Sequence, residues 1–278
     1  MVDCRFGWLL PDFRRSAIKP PGNRICLLVT ATFVVVGASS GIGAALYRQL
    51  AVDGHRVVGL DSKPIGNCDI FCDLEVPQSI VEAAEAIDGP IGGIAHVADI
   101  SRTAPPAAVI AVNLLGPRHL TELLGPQLRE SGGIVLVSSA SADRCTLDDS
   151  AKDWLLSLPD RELRAELPPF VGASIYETSK SLLGRWALHQ VAAFAQRRIR
   201  VNCITPEPVE TAVPADFGRM MRDGGITAIE ALTGRHGRPE QIAQAAAFLL
   251  STGASWINGA DLRVDGGYQA LRALAGRG

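Results

Sequence analysis

From Phe33 onward, short apolar runs alternate with longer segments whose apolar positions recur every three or four residues. The short runs, bounded by glycine and turn residues, predict buried strands; the longer periodic segments predict helices. In order the chain offers the strand "FVVVG", the helix "GAALYRQLAVDG", the strands "RVVGLD" and "DIFCDL", a helix around "SIVEAAEAID" and the run "IGGIAHVA". Next come a long apolar-periodic stretch through "AVNLLGPRHLTELLGPQL", the strand "GIVLVSS", the amphipathic "YETSKSLLGRWALHQVAAFAQ", the strand "RVNCIT", a helix near "PEQIAQAAAFLLS" and a last strand "DLRVDGG". Such alternation is the pattern of repeated βαβ units, so an α/β fold with a mostly parallel sheet is expected. No internal repeat or low-complexity linker interrupts the series, and one domain covering 31–278 is preferred over two.

Two stretches fall outside that rhythm. Residues 1–30 are basic, proline-punctuated and aperiodic, which predicts an extension outside the fold. The apolar run Ile25–Val36 holds 12 residues, short of the roughly 20 that a membrane span needs. It leads into a glycine-rich loop, so a buried strand explains it better than a secretion signal or a span. Between Ser139 and Tyr176, the segment "DDSAKDWLLSLPDRELRAELPPF" spaces Leu and Trp on a charged background. One or two amphipathic helices inserted at about 143–171 are expected there, placed as a lid or an interface.

Charge narrows the partners. The 27 basic and 29 acidic residues are interspersed and leave a formal net charge of −2, so no broad field exists to attract nucleic acid or anionic lipid. Six cysteines are scattered without CxxC spacing, mostly in or beside apolar runs, as free thiols in a reducing, cytoplasmic setting would be. Cys68 and Cys72 have no histidine close by in sequence, and no metal site is expected.

The candidate chemistry begins with "VVVGASSGIG", which puts Gly37, Gly41 and Gly43 where a strand turns into a helix. There the first glycine permits a tight turn, the second lets backbone approach a pyrophosphate, and the helix N-terminus offers free N–H groups. Asp61 ends the next strand, 18 residues beyond Gly43. A carboxylate there suits the two adenosine ribose hydroxyls and repels a 2′-phosphate, which favours NAD over NADP. Lys63 partly offsets that charge, and position 40 is a serine rather than a cationic clamp. Asp73 is placed either to reach the adenine or to cap a helix.

A second motif is "SIYETSK", with Tyr176 four residues before Lys180. Spacing of i and i+4 guarantees a shared helix face and proves little alone. Bringing a phenol from a pKa of about 10 to near 7 takes about 4 kcal/mol of preference for the phenolate. An ammonium ~4 to 5 Å away in an effective dielectric of about 20 supplies roughly that. Neither Tyr47 nor Tyr268 has a lysine four residues on.

Taken together, Gly37, Gly41 and Gly43, the Tyr176/Lys180 pair, Ser139 in "LVSS" and Asn113 in "AVNLLG" resemble the short-chain dehydrogenase/reductases. The resemblance runs from about residue 32 to the end, through "RIRVNCITP" and "VDGG", and looks most like the subgroup of bacterial 3α-hydroxysteroid dehydrogenase/carbonyl reductases. It implies a single Rossmann-type, doubly wound sheet with helices on both faces. It makes Tyr176 the general acid/base, with Lys180 lowering its pKa and binding the nicotinamide ribose. Ser139, or Ser138 as fallback, would bond the substrate oxygen, and Asn113 would hold a relay water; otherwise Ser139 is a strand-end hydroxyl and Asn113 a helix-kink residue bonding backbone. Cofactor contacts are implied for Ser39, Ser40 and Ile42 in the loop, for Asp73, Leu74 and Ala98, and for Pro206, Val209 and Thr211.

Two departures stand out. Where the family reads N-N-A-G, this chain reads His96, Val97, Ala98 and Asp99, and where it reads P-G, this chain reads Pro206 and Glu207. Altered cofactor affinity is expected, with Asp99 awkward unless solvated or paired, and His96 a core histidine. The apolar insertion and "AVPADFGRMMRDGGITAIEAL" imply a hydrophobic alcohol or ketone, a hydroxysteroid or an aromatic carbonyl compound. A dinucleotide-binding sensor and a nucleotide-sugar epimerase or dehydratase are the alternatives. A homo-oligomer is implied, and a dimer is favoured because the insertion covers the helical contact that tetramers of the family use.

Overall fold

A computed structural model of the chain describes residues 31–171, 175–207, 209 and 231–276, the last four of the first stretch as helix backbone only. The expected extension at 1–30 and Thr211 lie outside the described residues. Among the described residues, β1 (Thr32–Val36), β2 (Arg56–Asp61), β3 (Ile70–Phe71), β4 (Ile91–His96), β5 (Leu128–Val137), β6 (Arg200–Pro206) and β7 (Asp261–Val264) form one sheet in the order β3-β2-β1-β4-β5-β6-β7. Every neighbouring pair is parallel. The order reverses between β1 and β4, and a ligand crevice is expected outside the carboxyl ends of the strands at such a switch point.

Central strands are apolar on both faces because helices cover both. In β1, Val34 and Val36 join one core while Phe33 and Val35 join the other, the period-2 alternation of a strand. The first core receives α2 (Pro77–Glu85) through Ile80, α4 (Gly116–Leu124) through Leu120, and α7 (Ile175–Phe194) through Leu182, Leu183 and Trp186. The second receives α1 (Gly41–Val52) through Leu46 and Leu50, and α8 (Pro239–Leu250) through Ile242, Ala246 and Leu249. The helix α3 (Pro106–Ile110) continues into α4 through a π-helical turn, Ala111–Leu115. Helix boundaries follow local chemistry. Both α2 and α8 begin at a proline, whose missing N–H costs nothing there, and Gly54 at φ +85° ends the α1 region.

The insertion is helical, as expected: α5 (Asp149–Ser157) and α6 (Asp160–Val171). Leu155, Leu156, Leu163 and Leu167 bury into the first core. Arg185 on α7 ties it down, with Nε 2.7 Å and Nη2 2.6 Å from the two carboxylate oxygens of Asp153 and Nη1 3.0 Å from Asp149. Two cysteines, Cys72 and Cys203, pack as buried hydrophobes. At the other end of the sheet, buried Arg200 donates to the carbonyls of Leu249, Leu250, Ser251 and Ala254 at 2.6, 3.3, 3.0 and 3.0 Å, fixing the end of α8 to the start of β6. The chain closes with α9 (Tyr268–Ala275). Among the described residues no helix is long and apolar enough to cross a membrane.

Candidate active site

The glycine-rich turn lies at the end of β1. Gly37 has φ +89°, and a Cβ there would stand 2.7 Å from the backbone N and Cα of Ala98. Gly43 is tighter still, since its Cβ would stand 1.9 Å from the Gly37 carbonyl oxygen. The helix therefore starts hard against the turn. Gly41 takes φ +51°, and Ser40, the N-cap of α1, makes no side-chain cap bond while no acid occupies the first turn. Uncapped N–H groups at the positive end of a 12-residue helix suit the phosphates of a dinucleotide.

Asp61 ends β2 beside this turn. One carboxylate oxygen accepts from Ser39 N at 2.9 Å and the other from Lys63 N at 2.9 Å, which leaves lone pairs for further donors. Ser39 Oγ lies 2.9 Å from the carbonyls of both Lys63 and Ile65. Asp73 accepts from Glu75 N at 2.9 Å. It does not cap α2, whose N-cap is Val76. Leu74 is buried beside Gly116, and Ile42 packs against the second core. Ala98 N donates to Val36 O at 2.8 Å, closing the wall of the crevice between β1 and β4. On the far side Pro206 ends β6 and Val209 bridges Gly237. The Glu207 carboxylate accepts from Gln269 Nε2 at 2.7 Å, and burial raises its pKa.

The reacting end collects side chains from distant segments. On α7, Lys180 belongs to the stripe that buries Leu183 and Ala187, and it is 1% exposed. A buried ammonium needs partners. It has two: the Val137 carbonyl at 3.1 Å and Asp99 Oδ1 at 2.9 Å. The other oxygen of Asp99 accepts from the Tyr176 hydroxyl at 3.0 Å. One carboxylate thus bridges the phenol and the ammonium. Arg102, from the same loop, lies 5.5 Å from the centroid of the Tyr176 ring and pairs with Glu177 at 3.3 Å.

This pairing reverses the expected direction of the phenol. Burial, then the charge of Asp99 and its hydrogen bond, raise the Tyr176 pKa well above 10, while the Ser139 hydroxyl bonded to the phenol and the Arg102 charge pull more weakly downward. Lys180 does not lower it here because its charge is already answered by Asp99.

Ser139 caps a short 3-10 turn at the end of β5, with its hydroxyl 2.8 Å from that of Ser141. Ser138 instead donates to the Lys180 carbonyl at 3.2 Å. Asn113 sits in the π-helical turn, 1% exposed, and exchanges bonds with Ile100: its Oδ1 accepts from the amide at 3.1 Å and its Nδ2 faces the carbonyl at 3.5 Å. It anchors the loop that carries Asp99. His96 is buried beside Thr121, 2.8 Å from its hydroxyl, with Nδ1 unpartnered, and burial drives its pKa down to about 3. Asp99 and Arg102 are the charged residues beside Tyr176 that spacing alone does not find; the replaced glycine at position 99 is the signal that points to the first.

A phosphate cradle at the switch point of a parallel sheet, facing a tyrosine, a serine and a buried lysine, defines a dinucleotide-dependent oxidoreductase. Comparison with known proteins places it. A family model described as NAD dependent epimerase/dehydratase family matches residues 33–209, and one described as Enoyl-(Acyl carrier protein) reductase matches 168–269. Coniferyl-alcohol dehydrogenase of Pseudomonas sp. is 31% identical over 86% of this chain and 97% of its own length. The 3-alpha-hydroxysteroid dehydrogenase/carbonyl reductase of Comamonas testosteroni is 26% identical over 86% and 96%. The solved 3-alpha-hydroxysteroid dehydrogenase of Pseudomonas sp. B-0831, complexed with NADH, superposes with a TM-score of 0.72 at 29% identity, covering 88% of this chain and 99% of that one. The chain belongs to the short-chain dehydrogenase/reductase family, whose members use a nicotinamide dinucleotide to act on CH–OH groups.

Proposed function

We propose that the protein is NAD-dependent and interconverts a hydrophobic secondary alcohol and its ketone, with a hydroxysteroid or an aromatic carbonyl compound as substrate class. The observation that carries this reading is the convergence of Tyr176, Ser139 and Lys180 beside the cradle formed by Gly37 and Gly43. The Asp61 carboxylate beside the turn supports NAD over NADP. Relatives named as a coniferyl-alcohol dehydrogenase and a 3-alpha-hydroxysteroid dehydrogenase/carbonyl reductase support the substrate class.

A bound dinucleotide supplies the hydride exchange at the substrate carbon; the chain's own residues manage the oxygen. Tyr176 takes the hydroxyl proton during oxidation or gives it back during reduction. Ser139 holds the same oxygen by a hydrogen bond. Lys180 supplies positive charge beneath the phenol, 5.9 Å from the ring centroid, and favours the phenolate once that charge is free to act. In this reading residues 31–278 form the catalytic domain, 1–30 lie outside it, and the protein works in the cytoplasm as a homo-oligomer, a dimer.

The test is a panel of hydroxysteroids and aryl alcohols incubated with NAD or NADP while reduced nicotinamide is followed by absorbance. Turnover with NAD is expected, and Tyr176→Phe should lower it by roughly 10² to 10⁴-fold. Dinucleotide binding with no turnover on any alcohol would favour a sensor. The family match over 33–209 supports one second reading, epimerisation or dehydration of a nucleotide sugar. That activity would proceed without net consumption of added dinucleotide.

A further inference from the structure

The bridge at Asp99 is the feature that neither the family membership nor the proposed reaction requires. Lys180 is 1% exposed, whereas the Asp99 side chain is 41% exposed. One end of the bridge is fixed in the core and the other has access to water. The Tyr176 hydroxyl has a single proton, and it is directed at Asp99 Oδ2, 3.0 Å away. Asp99 Oδ1 takes one of three ammonium protons at 2.9 Å, and the Val137 carbonyl takes a second at 3.1 Å.

Two roles for that carboxylate are chemically distinct. As a relay it would receive the Tyr176 proton and pass it to water. Burial and the neighbouring Asp99 charge hold the proton on the phenol, so transfer to the carboxylate in this arrangement runs uphill. The proton stays on Tyr176. A phenol in that state cannot accept a proton from an alcohol, and the ammonium that would activate it is already neutralised. The arrangement is a resting one.

We propose that Asp99 is a positioning residue that bridges Tyr176 and Lys180 and so holds both out of acid/base work, and that it must swing away towards solvent before a dinucleotide and an alcohol are engaged. This rests on the proposed reading of Tyr176 and Lys180 as the acid/base pair. Release lets the Asp99 carboxylate solvate but leaves the buried Lys180 ammonium with the Val137 carbonyl alone, so the incoming ligands must supply its missing partner. The loop has a fixed root, because Asn113 holds Ile100 next to it. The moving part is therefore the Asp99 side chain.

Other titratable groups facing the phenol do not imitate this behaviour. Arg102, in the same loop, favours the phenolate and is paired with Glu177 on α7. Cys203, on β6 beneath Lys180, is pushed up to about 12 by burial and carries no charge at neutral pH.

The experiment uses the full chain and two readouts that do not depend on turnover. Phenolate formation at Tyr176 is followed by ultraviolet difference spectroscopy, with Tyr176→Phe subtracted to remove Tyr47 and Tyr268, and NAD binding is followed by calorimetry. In Asp99→Asn the titration midpoint should fall by at least one unit and NAD should bind about tenfold more tightly. In the unaltered chain, saturation with NAD should by itself lower the midpoint by two units or more, a measurement that holds even if Asp99→Asn folds poorly. A midpoint unmoved by NAD, or weaker NAD binding by a folded Asp99→Asn, overturns the proposal. So does slowed turnover in Asp99→Asn that added formate restores, which is the signature of a relay. Failure of the acid/base reading looks different: Tyr176→Phe would then turn over normally.

Discussion

The two ends of the crevice are made of different material. At the end formed by the glycine-rich turn the surface is mostly main chain, namely the turn itself, the first N–H groups of α1 and one carboxylate that bonds two backbone amides. The reacting end is made of side chains from the turn after β5, from α7 and from the loop after β4, all separated by tens of residues. A backbone site is sensitive to added volume and indifferent to most charge changes nearby. A side-chain site has the opposite weakness, for one residue at position 99 redirects both the proton and the charge.

The contrast breaks first at Gly43. In Gly43→Ala the new methyl meets a carbonyl oxygen at 1.9 Å that has nowhere to go. Overpacking costs of about 3 kcal/mol are expected, read as a lowered urea midpoint, together with roughly a 100-fold loss in NAD affinity by calorimetry. The reacting end should keep its Tyr176 titration in whatever fraction folds.

A smaller change sharpens the same comparison at Asp61. Asp61→Asn keeps an acceptor for one amide and removes the repulsion of a 2′-phosphate. Two charges ~5 Å apart in an effective dielectric of about 20 interact by about 3 kcal/mol before salt screening, so the ratio of NADP to NAD affinity should rise about 10- to 100-fold. An unchanged ratio would show that this carboxylate does not read the ribose.

The smallest effect separates the floor of the site from both ends. His96 is held neutral by burial, with its pKa brought down to about 3. Below its ordinary pKa of about 6.5 the unfolded chain binds a proton that the folded chain refuses, so stability falls as the solution is acidified from about 6.5 towards 3. At pH 5 that amounts to about 2 kcal/mol. His96→Gln should flatten this part of the stability profile, measured by urea unfolding at pH 7 and 5, and leave NAD binding at pH 7 unchanged.

Much of this was legible in residue order. The helices at Gly41, Pro239 and Ile175 start within two residues of their expected positions because proline, glycine and apolar periodicity mark them. Strands were less sharply bounded. "DIFCDL" yields only Ile70–Phe71, at the sheet edge where a single neighbour holds it, while β5 reaches back to Leu128 through residues that look polar in sequence. In the site, Gly37, Gly43, Tyr176 and Lys180 were legible because spacing dictates their geometry. The electrostatics were not. A lysine four residues from a tyrosine predicts a lowered phenol, and only the folded chain shows a carboxylate arriving from 77 positions away to cancel it.

The π-helical turn at Ala111–Leu115 has a wider reach than its five residues suggest. It holds one more residue than an α-helix of the same rise, and each residue turns a helix by about 100°. Removing a single one there would swing Asn113 off Ile100 and unmoor the Asp99 loop, although no atom of the crevice itself had been touched. In this protein the length of a buried helix, counted in residues, sets the footing on which its acid and base meet.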